Sequence, residues 1–188
     1  FDRYEKVYPA TSTPDMKRLD PKGTEGVKPF KAKKADLKYK GEKIAEPLAF
    51  LPVFPGTNCD YDSAKAFRKA GAKVKFGVFR NLTEQDVNDS IEEMKRNIDE
   101  CQILMLCGGF SAGDEPDGSG KFIANVLNNE KIAAAIEALI ARGGLILGIC
   151  NGFQALVKSG LLPYGHLGCV TKDSPTLFRN DINRHISQ

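Results

Sequence analysis

The chain has 188 residues, of which 41% are hydrophobic and 27% charged, and its net charge is +3. These values are typical of a globular domain that buries a core, with residues to spare for an additional segment. They exclude a membrane protein, because no apolar run approaches the roughly 20 residues of a spanning helix. The opening residues lack the pattern of a secretory leader, so a cytoplasmic protein is expected.

Residues 1–46 differ from the rest of the chain. They carry 12 Lys/Arg against 8 Asp/Glu, a net charge of +4, whereas the remaining residues carry 15 against 16. Four scattered prolines and an almost complete lack of periodicity predict an extended linker here. No aromatic interleaving or RNA-binding motif accompanies the positive charge, so nucleic-acid binding is not expected.

Beyond the linker, apolar runs alternate with amphipathic helical segments. The predicted strands are residues 48–54, 73–79, 102–107 and 145–149. Asp60 or Asp62 is predicted to cap the first helix, and Thr83 opens the second with a capping box. A later helix is expected to stop at Gly143, and the last begins at Gly152.

This alternation predicts the fold class of residues 47–188. Strands separated by helices of this length form βαβ units, so we expect an α/β domain with a flavodoxin-like, open, mostly parallel sheet and helices on both faces. Pro52 interrupts the first strand, where a central position would lose a hydrogen bond of the ladder. A bulge or an irregular strand is the expected solution.

The segment Gly148-Ile149-Cys150-Asn151-Gly152 has the form G-x-nucleophile-x-G at the junction of the fourth strand and its helix. The two glycines leave room for a sharp, strained turn. Such a turn exposes the cysteine sulfur, and the helix N-terminus favours the thiolate. We therefore predict that Cys150 is a nucleophile and not a small buried residue.

Three backbone N–H groups are predicted to stabilise an oxyanion beside Cys150. One belongs to Asn151, and the other two belong to Gly109 and Phe110, which follow the neighbouring third strand. Cys101 and Cys107, at the two ends of that apolar run, are predicted to be core residues instead.

Other site types fit the sequence poorly. The five cysteines are odd in number and form no CxxC pair, which indicates free thiols and neither a disulfide framework nor a metal site. The glycine-rich stretch 108–121 has neither the spacing of a phosphate-binding loop nor that of a calcium loop.

Three motifs together resemble one family. GICNGFQ at residues 148–154, GGFSAGD at 108–114 and FPGTNCD at 54–60 are similar to the class I, triad-type glutamine amidotransferases. The combination resembles in particular the glutaminase domains of phosphoribosylformylglycinamidine synthases. The resemblance runs from about residue 48 to the end of the sequence.

The resemblance implies a mechanism. Cys150 attacks the glutamine amide, a glutamyl thioester forms and is hydrolysed, and ammonia passes to an ATP-dependent synthetase domain of the same enzyme. Gln154 and Asn180 match positions that contact glutamine. The glutaminase domain itself needs no cofactor, while ATP and magnesium belong to the synthetase domain.

The family's triad also has a His and a Glu well past the nucleophile. His166 follows the elbow helix too soon and is predicted to be a surface residue, and His185 is predicted to be structural. We therefore expect a domain truncated at its C-terminus, and a loss of about 10²–10⁴-fold in glutamine hydrolysis by this chain alone. Two alternatives stay open: another cysteine hydrolase on the same frame, or an inactive interaction fragment.

Overall fold

The computed structural model describes residues 43–113 and 120–177. The predicted linker over residues 1–46 lies almost wholly outside these ranges, so it stays a prediction. None of the helices in the two ranges has the length and apolar character needed to span a membrane.

Strands and helices alternate along the described ranges as expected. The strands are β1 Leu48–Val53, β2 Lys73–Val78, β3 Ile103–Leu106 and β4 Leu145–Gly148. The α-helices are α1 Asp60–Lys69, α2 Glu84–Glu100, α3 Lys121–Leu127, α4 Glu130–Ala141, α5 Asn151–Ser159 and α6 Leu161–Tyr164, and a 3₁₀ turn at Ser111–Gly113 follows β3. Each predicted strand is present within one residue at either end.

The four strands form one parallel sheet in the order β2-β1-β3-β4. This is the flavodoxin-like order, and it confirms the predicted fold class. The strand order reverses between β1 and β3, and ligands of such sheets bind outside the carboxyl ends of the strands at that switch point. The loops that follow β1 and β3 are therefore the expected walls of a site.

The main core lies on the sheet face covered by α2, α3, α4 and α5. Phe50 and Leu104 from the sheet pack there against Ile98, Leu127 and Leu139 from the helices, and all five are fully buried. Burial of each such side chain contributes about 1.5–3 kcal/mol relative to an exposed position. This face holds most of the apolar contacts that stabilise the domain.

The opposite face is covered less completely. Ala64 of α1 packs there against Ala49, Leu51 and Met105. On β4 and the residue that follows it, the same face carries Leu145, Leu147 and Ile149, which are 50%, 44% and 50% exposed. The helices of the described ranges thus cover both faces of the sheet, but they leave this strip of β4 half exposed.

The helix ends follow local chemistry, with one exception. Thr83 Oγ1 accepts a hydrogen bond from the Asp86 N–H at 3.1 Å, as a capping box requires, and α4 ends just before Gly143, which has φ 81°. The predicted Asp cap of α1 is wrong. Cys59 occupies the N-cap position without a side-chain cap, and Asp60 lies in the first turn, where the positive helix end favours a carboxylate.

Pro52 is accommodated without a bulge. Its pairing with Gly77 belongs to an unbroken β1–β2 register. Val53 O accepts a hydrogen bond from the Phe79 N–H at 2.8 Å, so the polar backbone groups of Val53 point towards β2. Successive residues of a strand point these groups to opposite sides, so the Pro52 nitrogen points towards β3. The β1–β3 pairing ends at Phe50, two residues earlier. The β1–β3 ladder therefore stops just before the position at which residue 52 would have to donate, whereas the β1–β2 ladder continues unbroken.

The five cysteines are expected to differ sharply in reactivity. Burial raises the pKa of Cys101 to about 11 and also raises the pKa of Cys107, so both thiols stay protonated near neutral pH. Iodoacetamide should therefore label the exposed Cys59, Cys150 and Cys169 in the folded protein. Peptide mass mapping should find Cys101 and Cys107 modified only after urea is added. Rapid modification of either one in the native protein would contradict their assignment to the core.

Candidate active site

Cys150 has the backbone conformation of a nucleophile elbow. It lies between β4 and α5 with φ 51° and ψ −109°, and its side chain is exposed. A residue other than glycine with positive φ is strained, at a cost on the order of 1–3 kcal/mol, and such strain clusters at functional sites. The sequence prediction of a strained, exposed turn at this position is confirmed.

The two glycines of the elbow are required because α5 packs very close to the sheet. A Cβ at Gly152 would lie 2.1 Å from the Leu106 carbonyl oxygen, and a Cβ at Gly148 would lie 2.6 Å from Leu156 Cδ1. Neither distance is compatible with a side chain. The glycine pattern therefore lets the helix start directly against β3, which leaves Cys150 at its N-terminal end.

The loop after β3 runs beside Cys150. A Cβ at Gly108 would lie 3.5 Å from Cys150 Cβ, which is ordinary van der Waals contact. Further along the loop, the Ser111 N–H donates to Asn151 Oδ1 at 3.2 Å. Asn151 is 1% exposed, so this hydrogen bond is buried and joins the loop to the first residue of α5.

The loop after β1 holds the loop after β3 from the other side. The Asn58 N–H donates to Gly108 O at 2.8 Å, the Phe110 N–H donates to Gly56 O at 2.9 Å, and the Ala112 N–H donates to Pro55 O at 3.0 Å. We call residues 54–59 and 108–112, joined in this way, the loop clasp. The clasp lies at the switch point of the sheet, where a ligand site is expected.

The predicted oxyanion donors have different surroundings. The Phe110 N–H already donates to Gly56 O, so in this structure it is not available to an oxyanion. The Gly109 N–H donates no hydrogen bond within the described ranges, and Gly109 directly follows the residue that contacts Cys150. Asn151 is the first residue of α5, directly after the cysteine. The geometry thus favours Gly109 over Phe110, and Asn151 keeps its predicted role as the residue after the nucleophile.

The predicted glutamine-binding residues are only partly described. Gln154 lies one turn into α5, and its Oε1 accepts a hydrogen bond from Asn151 Nδ2 at 3.1 Å. A substrate that contacts the Gln154 side chain would have to share or replace this hydrogen bond. Asn180 lies outside the described residues, so its role stays a prediction.

His166 is not placed to assist Cys150. Its Nδ1 lies 3.3 Å from Glu137 Oε2, and its side chain is 67% exposed. It lies beside Gly160, at the C-terminal end of α5, whereas Cys150 lies at the other end. Nine helical residues span about 13 Å, too far for direct proton transfer. The sequence interpretation of His166 as a surface residue is confirmed, and His185 lies outside the described residues.

No sequence motif pointed to two buried polar groups next to the site. The sequence analysis assigned a role only to the Asn151 backbone N–H, yet the Asn151 side chain joins α5 to a loop residue 40 positions earlier. Ser111 is 5% exposed and its Oγ has no hydrogen-bond partner among the described residues. No local pattern reveals a contact between residues so far apart in the chain. Within the same ranges, no group of three His, Cys, Asp or Glu residues could hold a metal ion.

Comparison with known proteins agrees with this geometry. The family described as "CobB/CobQ-like glutamine amidotransferase domain" matches residues 46–188. The chain belongs to this glutamine amidotransferase family. The match includes the elbow, the loop clasp and all four strands, so the residues that surround Cys150 are those of a glutamine amidotransferase domain.

Curated relatives carry the name "Phosphoribosylformylglycinamidine synthase subunit PurQ". The protein of Dehalococcoides mccartyi is 40% identical over 109 residues, which are 58% of this chain and 38% of the relative. That of Treponema denticola is 37% identical over 118 residues, 63% of this chain and 40% of the relative. A Methanococcus maripaludis protein is 42% identical over 106 residues, which are 56% of this chain and 35% of the relative. The chain thus spans well under half the length of these relatives.

Two solved structures are also similar. The structure of PurLQS from Thermotoga maritima shares 34% identity over 62% of this chain and 46% of that chain, with a TM-score of 0.44. A putative peptidase E from Listeria monocytogenes shares 15% identity over 69% of this chain and 62% of that chain, with a TM-score of 0.43.

The strain at Cys150 is testable by substitution. Glycine adopts positive φ without the clash of a Cβ, so Cys150→Gly should be more stable than Cys150→Ala by about 1 kcal/mol. Urea unfolding of the two variants measures this difference. The same pair at Cys169, which is exposed and is not among the residues with positive φ, should show the opposite order or none. A Cys150→Ala variant as stable as Cys150→Gly would show that the turn is unstrained.

The loop clasp predicts a second difference. Gly109 has φ 140° and a Cβ there would lie 2.4 Å from Gly56 O, whereas Gly71 has φ 90° with nothing within 4 Å. Gly109→Ala should therefore lower the free energy of unfolding by about 1–3 kcal/mol more than Gly71→Ala, because only the first adds a steric overlap to backbone strain. Thermal or urea unfolding provides the comparison. An equal loss of unfolding free energy in the two variants would contradict this prediction, because it would mean that the loop clasp accepts a side chain at Gly109 without destabilising the fold.

Proposed function

We propose that this chain is the glutaminase part of a phosphoribosylformylglycinamidine synthase. In this proposal it hydrolyses the side-chain amide of glutamine and supplies ammonia for the synthesis of formylglycinamidine ribonucleotide in purine biosynthesis. The observation that carries the proposal is the exposed Cys150 in a positive-φ elbow, within a domain of the glutamine amidotransferase family. The names of the curated relatives support the particular enzyme.

The first step is the attack of Cys150 Sγ on the amide carbon of glutamine. A C–S bond forms, and the electron pair of the C=O bond moves to the oxygen. The oxyanion needs donors that are already in place, because a preorganised dipole costs no reorganisation during the reaction. In this proposal the backbone N–H groups of Gly109 and Asn151 provide them. The loop clasp holds the first and α5 holds the second.

The second step breaks the C–N bond. The amide nitrogen takes up a proton and leaves as ammonia, and the glutamyl group stays on Cys150 as a thioester. Water then attacks the thioester carbon, which releases glutamate and returns the thiol. Ammonia is the product that the partner reaction consumes. Because the thioester forms as ammonia leaves and is hydrolysed afterwards, ammonia is released before the free thiol is restored.

The proton transfers require a base, and His166, the one histidine among the described residues, is not placed to act as one. The ammonia also requires an acceptor, which in this proposal is a synthetase domain that binds ATP and magnesium. Whether that domain is fused to this chain or separate does not alter the chemistry at Cys150. The partner and the reaction it performs follow the relatives' names and belong to the proposal.

A glutamine-mimicking chloroketone tests the proposed substrate. It should alkylate Cys150 selectively, because recognition of the glutamine skeleton brings its reactive carbon to the sulfur that attacks the amide. Free glutamine should slow this labelling, whereas equal concentrations of asparagine should not. Peptide mass spectrometry identifies the labelled residue.

Matched variants make this result specific. Cys59→Ala removes an exposed thiol from the loop clasp and should keep the labelling of Cys150, whereas Cys150→Ala should abolish it. Labelling spread evenly over Cys59, Cys150 and Cys169, or labelling that glutamine does not slow, would refute the glutaminase proposal. Protection by another amide or ester would point instead to a different cysteine hydrolase on the same frame.

A further inference from the structure

A polar cleft adjoins the C-terminal half of α5. It is bordered by α3, by the C-terminal half of α5 and by the irregular segment 170–176, and its volume is about 370 Å³. This volume falls within the range of small-molecule sites. No residue of the elbow or of the loop clasp lines the cleft, so it is separate from the site of Cys150.

Three lysines from three different elements line this cleft. Lys121 comes from α3, Lys158 from α5 and Lys172 from the segment 170–176. No Asp or Glu is among the lining residues, and none of the three lysines forms an ion pair within the described ranges. A cleft lined by charges of one sign raises the local concentration of counter-ions. Its positive charge therefore favours an anion.

The other lining groups suit a phosphate attached to an organic group. Asn125 and Thr176 provide neutral hydrogen-bonding groups, while Val157 and Val170 provide apolar surface. Inorganic phosphate would use the lysines and leave the apolar surface without a contact. An organic phosphate uses both, because its phosphate oxygens accept hydrogen bonds and its carbon skeleton packs on the valines.

The third wall of the cleft is ordered by its own hydrogen bonds. The Thr171 N–H donates to Ser174 Oγ at 2.8 Å, the Ser174 N–H donates to Thr171 O at 3.1 Å, and the Tyr164 hydroxyl lies 2.9 Å from Ser174 Oγ. These bonds fix the turn that carries Lys172. A charged side chain on a fixed turn loses less entropy on binding than one on a free segment.

We propose that this cleft binds a small organic phosphate of the size of a nucleoside monophosphate. Lys121, Lys158 and Lys172 hold the phosphate, and the apolar surface of Val157 and Val170 contacts the organic group. The proposal is independent of the reaction at Cys150, since it rests on a different set of residues. Its failure would leave the proposed glutaminase function untouched.

Isothermal titration calorimetry of the full chain tests this proposal, with adenosine 5′-monophosphate as the probe and constant ionic strength to fix the screening of charge. Saturable binding is expected, and it should be tighter than that of inorganic phosphate or of adenosine. The triple variant Lys121→Gln, Lys158→Gln, Lys172→Gln should weaken it by about tenfold or more, since it removes every charged donor of the cleft. Circular dichroism checks that the variant is folded.

A control triple variant changes the net charge by the same amount elsewhere. Lys43→Gln, Lys65→Gln, Lys69→Gln replaces three exposed lysines outside the cleft and should leave the affinity unchanged. Lys172 lies outside every helix and strand, so its replacement removes no helix or strand residue. The single variant Lys172→Gln should by itself weaken the binding of adenosine 5′-monophosphate. An equal loss of affinity in both triple variants would overturn the proposal, because the binding would then reflect only the net charge of the protein. Absence of saturable binding, or equal binding of adenosine, would also overturn it.

Discussion

The close approach of α5 to the sheet is the constraint on which the candidate site depends. At Gly152 the helix lies so near the Leu106 carbonyl oxygen that no side chain fits between them. The chain must therefore pass from β4 into α5 within two residues, and Cys150 takes the resulting strained conformation. The cost of that strain, on the order of 1–3 kcal/mol, has to be offset by the packing on either side. The buried contacts of Leu156 and Leu106 in the main core provide such packing.

The loop clasp extends this constraint to the neighbouring strands. Its hydrogen bonds join backbone to backbone, and each contributes about 0.5–1.5 kcal/mol net. Backbone contacts at this distance require glycine, because a Cβ at Gly56 would lie 2.2 Å from Phe110 O and a Cβ at Gly109 would lie 2.4 Å from Gly56 O. Because Asn151 joins the clasp to α5, the three loops after β1, β3 and β4 behave as one unit. The Gly109 N–H is held by this unit and not by a flexible loop.

The environment separates cysteines that are chemically identical. Cys101 and Cys107 flank β3 and lie in hydrocarbon, where a thiolate would lose its hydration. Cys150 also adjoins a strand, but the elbow turns it outwards at the end of the sheet. The difference comes from one feature of the backbone and not from composition. The exposed strip of β4 shows the same dependence on surroundings, because its apolar residues are buried only where a helix happens to cover them.

The sequence predicted the periodic features of this protein well. Strand positions, the capping box at Thr83, the stop at Gly143 and the glycine-framed elbow all arise from neighbouring residues, so local chemistry is sufficient to find them. It was wrong at the start of α1, and of the two solutions expected at Pro52 the bulge is absent. The Pro52 nitrogen faces β3, where the pairing ends at Phe50, so the cost of the proline falls on the β1–β3 ladder and not on the β1–β2 ladder. Cys59 adopts a left-handed conformation that no cap signal announces.

The sequence by itself therefore determined the fold class and the nucleophile candidate. Only the tertiary structure showed that the Phe110 N–H already donates to Gly56, a residue 54 positions earlier, while the Gly109 N–H makes no such bond within the described ranges. It also decided that His166 and Cys150 lie at opposite ends of one helix, and that three distant lysines share a cleft. The physical reason is the same in each case: these facts depend on contacts between distant segments, and only the packed chain brings such segments together.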